Sequence, residues 1–230
     1  MAPVSRRSYD QFCPLARTLD LVGERWTLLV VRELLTGAKR YTDLRAGLPG
    51  IATDLLGRRL RDLEQAELVR RTKLPPPAAS VVYELTDRGR ELGPAVLALA
   101  RFGLGELRES PAADEVVTAD RLDLFLRVLF DRDAAAGLTE SYTLAANGVE
   151  VGVSLDDGEL RVLRDAGELT GEPAVRISAD TPTVFSLLSG RLDEKEAVRE
   201  GRLSLSGDPA AAARFVACFP AARSEAPAPA

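Results

Sequence analysis

The sequence predicts an α+β protein of two unlike domains, residues 1–110 and 111–220, followed by a disordered tail at 221–230. Three observations carry this. Charge is unevenly spread: residues 1–110 hold 18 Lys+Arg against 14 Asp+Glu, a balance of +4, while residues 111–230 hold 12 against 21, a balance of −9. Apolar residues recur at helical spacing through most of the first half, and at alternating, strand-like spacing in the middle of the second. Between the halves, SPAADEVVTAD from Ser110 has the small and polar composition of a linker.

In the first half, residues 1–12 are polar and expected to be loosely held. Within 14–35, Leu15, Leu19, Val22, Trp26, Leu29 and Val30 fall near helical spacing. Gly23 interrupts them, so two helices or a bend are expected between Val22 and Trp26. Trp26, the single tryptophan, is expected to anchor the core. YTDLRAGL at 41–48 predicts a short amphipathic helix with Leu44 and Leu48 inward, and Pro49-Gly50 makes the turn after it. Thr53 is the natural N-cap of the next helix, and Asp54 complements that helix's positive end.

The first half is organised around this next helix, in PGIATDLLGRRLRDLEQAELVRR. Leu56, Leu60 and Leu63 fall on one side; Asp54, Gly57, Arg58, Arg61 and Gln65 form a stripe on the other. Such a stripe is either an ordinary solvated face or a recognition surface. In the second case arginines meet phosphates and guanine edges, and a glycine permits close approach. The flanks favour recognition. A hairpin follows, with strands expected at 68–71 and 81–85 and TKLPPPAAS between them. Three prolines cannot join a ladder and hold the tip extended, as a rigid loop or as a wing against the DNA backbone with Arg71 and Lys73 supplying charge. Helix, turn, helix and wing make Thr53, Asp54, Gly57, Arg58, Arg61, Arg71 and Lys73 the candidate DNA-binding residues. Thr86 caps a further helix expected to run to about 107, with Pro94 tolerated in its first turns or kinking it. Its face of Leu92, Val96, Leu99 and Phe102, together with the spare apolar face of the segment after Pro14, predicts pairing with a second copy in a homodimer.

The second half opens with an apolar helix, RLDLFLRVLF. Strands follow at 141–146, 149–155 and 159–164, joined by Asn147-Gly148 and Asp157-Gly158. A strand at 174–178 precedes Thr181-Pro182, read as cap and first turn of a helix. A short helix at 193–200, a strand at 202–206 and a last helix opened by Asp208-Pro209 complete an α+β pattern.

Composition excludes several classes. No apolar run is long enough to span a bilayer and no signal-peptide core is present, so a cytoplasmic protein without a membrane partner is expected. Cys13 and Cys218 are too few and too far apart for a disulfide framework. Histidine is absent, which removes the commonest general base and metal ligand. With no nucleophile elbow, phosphate loop or Cys-x-x-Cys pair either, no enzyme, no catalytic or metal site and no cofactor is expected.

Residues 13–105 resemble the HxlR-type winged helix-turn-helix transcriptional regulators. The resemblance is carried by Cys13-Pro14-Leu15-Ala16, Gly23-Glu24-Arg25-Trp26, YTDL from Tyr41, LPGIATDLLGRRLRDLEQAELVRR, Tyr83-Glu84-Leu85-Thr86 and Gly89. It implies a dimeric DNA-binding regulator, most often a repressor, on a pseudo-palindromic duplex operator. It also implies a redox-sensing role for Cys13, beside which stands the reading of that residue as a small buried hydrophobe. One departure is Ala52, where the family usually has Ser; this puts that residue's phosphate contact in doubt. Residues 112–220 resemble the sterol-carrier-protein fold through FSLLSGRLDEKEAVREGRLSLSGDPAAAARF. That implies an apolar tunnel for a lipid-like small molecule, with Phe125, Leu129, Val153, Val175, Phe185, Leu188, Phe215 and Phe219 as candidate lining, or else a filled core. The rival of a different class is a small-lipid carrier whose winged part only dimerises.

Overall fold

The computed structural model describes residues 8–75, 79–107 and 118–220. The loose segment before Ser8, the tip beyond Pro75, most of the expected linker and the tail all lie outside the described residues. The chain divides into two compact units, up to Val96 and from Leu97 onward, a boundary earlier than the expected 110/111 step. Beyond that boundary Leu104 packs on the second core, and Arg101 donates to the carbonyl of Val128 at 3.2 and 3.0 Å.

In the first unit, helix α1 (Pro14–Val22) starts on proline and stops at Gly23, where a Cβ would lie 2.6 Å from the carbonyl oxygen of Leu19. Trp26 then turns the chain through the left-handed region, with φ 77°, into helix α2 (Thr27–Leu35). Strand β1 (Lys39–Arg40) leads directly into helix α3 (Tyr41–Gly47), and the turn at Pro49-Gly50 into helix α4 (Thr53–Gln65). Strands β2 (Val69–Lys73) and β3 (Val81–Leu85) form the hairpin, and β1 adds to β3, giving an antiparallel sheet of order β1-β3-β2. Val30, Val31, Leu34, Leu44, Leu48, Leu56, Leu60 and Leu63 are buried together, with Trp26 half-buried against them.

Three points differ from expectation here. The third strand, β1, was not foreseen. Residues 8–12 are not all loose: Ser8 and the amide of Tyr9 donate to Asp20 at 3.1 and 2.9 Å. Within 14–35, Leu15, Leu19 and Leu29 are exposed, which leaves the segment after Pro14 with an apolar face outside the core. The helix capped by Thr86 is broken. Thr86 accepts from the amide of Gly89 at 3.0 Å and opens the single turn α5 (Asp87–Arg90), after which helix α6 (Gly93–Phe102) and a short 3-10 turn at Gly103–Glu106 follow. Pro94 has no N–H to give Arg90 and its ring would strike that carbonyl, so the helix restarts instead of kinking. Leu92, just before α6, and Val96 on it face the core, while Leu99 and Phe102 are exposed.

In the second unit, helix α7 (Ala119–Leu129) precedes strands β4 (Thr139–Ala146), β5 (Val149–Asp156) and β6 (Glu159–Leu163). Both connecting hairpins have two left-handed residues: Asn147 and Gly148 at φ 48° and 80°, Asp157 and Gly158 at 47° and 82°. That is the twist-matched turn asparagine, aspartate and glycine favour. Strand β7 (Val175–Ala179) runs parallel to β4, helices α8 (Thr181–Leu188) and α9 (Glu194–Arg199) follow, then strand β8 (Leu203–Gly207) and helix α10 (Pro209–Ala217). The sheet order is β6-β5-β4-β7-β8. Tyr142, Leu144, Val151, Val153, Val175 and Ile177 share the face that meets Leu126, Leu187 and Phe215 of the helices. The cap of α8 is Asp180, which accepts from the amide of Thr183 at 2.8 Å, and Thr181 is its first residue. Aspartate is the better cap, and Pro182 suits the first turn equally well from either register.

One polar chain closes this core. Tyr142, fully buried, donates to Glu140 at 2.6 Å, and Arg214 donates to the other carboxylate oxygen at 2.9 Å. Burial pulls the Glu140 carboxyl upward, but the bonds from Arg214 and Tyr142 outweigh it and hold the group below the ordinary glutamate range. A carboxyl depressed in the folded state contributes stability above its unfolded pKa and loses it as pH falls through the folded value. Glu140→Gln is therefore expected to flatten the acid limb of a urea-midpoint-against-pH curve; an unchanged limb would remove Glu140 from the acid response.

Candidate nucleic-acid interface

The geometry follows from which face of α4 the core claims. Leu56, Leu60 and Leu63 are 0–1% exposed, so the opposite side of the helix is turned outward. Thr53, Asp54, Arg58, Arg61 and Gln65 are exposed and Gly57 is half-buried, so the sequence-predicted stripe is one continuous helix face. Among the described residues, neither Arg58 nor Arg61 makes an ion pair. Their charge is uncommitted. On the hairpin, Arg71 and Lys73 alternate along β2, are exposed and are likewise unpaired within the described chain. Their neighbour Arg70 is spent: it donates to Glu84 at 3.0 Å, and that bond, with one from Thr72 at 2.8 Å, holds the Glu84 carboxyl low.

The helix entry differs from expectation. Ala52, not Thr53, is the N-cap, its carbonyl accepting from the amides of Leu55 and Leu56 at 3.0 Å each, and no side chain caps the helix. Thr53 is the first helical residue. The Tyr41 hydroxyl donates to the Thr53 carbonyl at 2.7 Å, tying the start of α3 to the start of α4, and Ile51 is buried just before the cap. These tertiary contacts set the register that local capping preference would have placed one residue later.

Sequence reasoning missed Arg59. It is 8% exposed, and its guanidinium bonds Asp62 at 2.8 Å, Glu24 at 3.1 Å and the Arg25 carbonyl at 3.2 Å. The signal was present: Arg59 lies three residues after Leu56 and four before Leu63, on the apolar side of the helix. Gly89, one of the residues that carry the resemblance, also has a packing reason, because a Cβ there would lie 2.0 Å from the Leu68 carbonyl oxygen.

The candidate tunnel residues separate into two groups. Phe125, Leu129, Phe185 and Leu188 line a small void of about 10 Å³ with Leu122, Leu144, Thr181 and Val184. That is room for about one water molecule. Val153, Val175, Phe215 and Phe219 do not border it. They are 0–2% exposed within the packed core, where Phe215 contacts Tyr142 and Phe219 at ring separations of 4.8 and 4.9 Å. Cys13 is a half-buried free thiol at the cap of α1. Cys218 is buried, which pushes its thiol pKa up, and it donates to the Arg214 carbonyl at 3.2 Å.

Comparison with known proteins finds a different family in each half of the chain. Residues 21–110 match the HxlR-like helix-turn-helix family and residues 129–220 the SCP-2 sterol transfer family. The uncharacterised HTH-type transcriptional regulator sll1512 of Synechocystis sp. is 35% identical over 108 residues, which cover 47% of this chain and 80% of that protein. The HTH-type transcriptional regulator YodB of Bacillus subtilis is 37% identical over 84 residues, 36% of this chain and 75% of that one. Among solved structures, the redox regulator HypR in its oxidised form is 33% identical, with 42% of this chain and 98% of that chain covered at a TM-score of 0.39. On its first half, therefore, this chain belongs to the HxlR-like helix-turn-helix family, with a sterol-transfer-type domain following.

Proposed function

We propose that the chain is a DNA-binding transcriptional regulator that acts as a two-fold dimer, and a repressor wherever its site overlaps a promoter. The observation that carries this is the arginine face of α4 beside the cations of β2, none of them ion-paired among the described residues. In this reading α4 enters the major groove. Arg58 and Arg61 meet guanine edges or phosphates, Asp54 accepts from a cytosine amino group, and Arg71 and Lys73 lie along the backbone. Without a hydroxyl at Ala52, any phosphate contact at the helix start comes from backbone N–H groups. Relatives named as transcriptional regulators favour this over a lipid carrier whose winged part only dimerises. The test is titration of duplex DNA at several salt concentrations. Affinity should fall steeply and linearly with log salt, with a slope near −0.9 per phosphate neutralised. Salt-independent or absent binding would refute it.

Exposed apolar side chains support the dimer: Phe12, Leu15, Leu19 and Leu29 in the first unit, and Leu99 and Phe102 on α6. Two-fold symmetry calls for a pseudo-palindromic operator with half-sites roughly 34 Å apart or a multiple of that. A monomer by sedimentation at micromolar concentration would exclude it.

Gly57 gives a sharper check. A Cβ there would find only Arg61 Nη1, at an ordinary 3.5 Å, so packing within the chain does not require glycine. Gly57→Ala is expected to raise folding stability by roughly 0.5–1 kcal/mol while weakening DNA binding, because the methyl group stands where a base pair approaches. A variant that gains stability and binds as well as wild type would show that no close approach occurs there.

The second domain is proposed to take an apolar small molecule as effector. Its void is small, but it is bordered by the edge-to-face pair Phe125–Phe185, 5.4 Å between centroids, and by Thr181, whose buried hydroxyl has no hydrogen-bond partner among the described residues. Thermal stabilisation of the full chain by fatty acids or other hydrophobic metabolites, followed by repeated operator titration, tests this. Redox control through Cys13 is the companion proposal, tested by titrating DNA with and without diamide.

A further inference from the structure

Arg58 and Arg59 are adjacent, yet one faces solvent and the other is held inside. What holds Arg59 is the corner between α1 and α2. Its Nη2 donates to Glu24 and its Nε to the Arg25 carbonyl, while Nη1 returns to Asp62 on α4 itself. The corner is strained at its last residue. Trp26 sits at φ 77° and ψ −18°, a region that bulky side chains rarely adopt. Strain of this kind persists only where the surroundings over-determine it. Here the Trp26 carbonyl accepts the first amide bond of α2 from Val30 at 2.9 Å, and the Arg25 guanidinium lies 5.6 Å from the indole centroid. The indole also reaches the helix-turn-helix turn, for a Cβ on Gly50 would lie 3.9 Å from Trp26 Cη2.

The corner thus touches α4 in two places, through Arg59 near its middle and through Trp26 at the turn that precedes it. Side chains on a helix radiate at fixed angular intervals, so fixing one buried residue fixes the direction of all. We propose that Arg59 and Trp26 are positioning residues for DNA recognition: the Glu24-Arg25-Trp26 corner sets the rotation of α4, and so the aim of Arg58 and Arg61. This rests on the reading of α4 as the DNA-contacting helix. It also gives α1, which packs against α4 and carries the exposed Leu15 and Leu19, a physical route to that face.

The experiment uses the full chain, with a duplex recovered by the wild-type protein from a randomised library. Wild type, Glu24→Gln and Arg59→Lys are compared by duplex affinity, urea midpoint and emission of Trp26, the sole tryptophan. The Glu24 side chain is 58% exposed, so its loss should leave the urea midpoint unchanged. Affinity should nevertheless fall, on the order of threefold for Glu24→Gln. For Arg59→Lys, which lacks the planar fork, it should fall about tenfold or more. The duplex should shift Trp26 emission in wild type and less in both variants. Wild-type affinity in both variants under conditions where each is fully folded would overturn the proposal, as would losses that the unfolded fraction alone explains. Failure of the wild-type chain to recover any duplex would be a different result, bringing down the reading of α4 itself.

Discussion

Replacing Arg58 and Arg61 together by alanine should abolish specific DNA binding and leave the fold intact. Each arginine that reads a base is expected to contribute roughly 1–3 kcal/mol at the specific site, so the pair accounts for roughly 2–6 kcal/mol, about thirtyfold to ten-thousandfold in affinity. Neither side chain packs in the core or pairs with an acid among the described residues, so the urea midpoint should move little. Arg59→Ala should show the opposite balance. It removes a buried guanidinium with three partners and leaves a space beside Glu24, so folding stability falls first. That cost is tempered because Glu24 and Asp62, 58% and 37% exposed, can return to water. Single variants also sort the contacts. A base-reading arginine changes preference at one operator position, whereas a phosphate-binding one weakens all sequences alike and lowers the salt slope by about one. Operator binding unchanged in the double variant would mean that α4 is not the recognition helix.

Much of this was legible because the informative signals were local. Leu44, Leu48, Leu56, Leu60 and Leu63 announce two helices by spacing alone, and all are buried. Asn147-Gly148 and Asp157-Gly158 announce two hairpins, because few other residue pairs tolerate positive φ twice in succession. What escaped was decided at long range. Strand β1 is two residues long and exists only because Lys39 and Arg40 meet Tyr83 and Val82 more than forty positions on. The cap of α4 moved to Ala52 because Tyr41 and the burial of Ile51 fix its register against local preference. Arg59 reads as one more surface cation until the corner at Glu24 is folded beside it. In the second domain, an apolar helix residue that lines a void and one that fills the core obey the same helical spacing. Nothing in the pattern separates Phe185 from Phe215.

The largest effect on stability is expected from a pair that spacing did not reveal, Glu33 and Lys39. Both side chains are 3% exposed and the Nζ–Oε2 distance is 3.2 Å, with Arg32 reaching the other carboxylate oxygen at 2.6 Å. The site joins three elements: Glu33 lies on α2, Lys39 on β1, and a Cβ at Gly47, the last residue of α3, would lie 2.4 Å from the Glu33 carboxylate. Removing one partner of a buried pair leaves the other charge uncompensated in a medium that solvates it poorly, at a cost of roughly 3–5 kcal/mol. Lys39→Met should fall toward the lower figure, because Arg32 still meets Glu33. Glu33→Gln should cost more, since it removes the carboxylate that both Lys39 and Arg32 meet. Combining Glu33→Leu with Lys39→Met should recover part of the loss, as no buried carboxylate then remains, and the difference from additivity measures the coupling. Neither residue lies on the exposed stripe of α4, so under conditions where Lys39→Met is still fully folded its DNA affinity should match wild type. That separates it from Arg58 and Arg61, whose loss should act on affinity alone. A Lys39→Met urea midpoint within error of wild type would show that the pair is solvated in solution and holds neither β1 nor the end of α3.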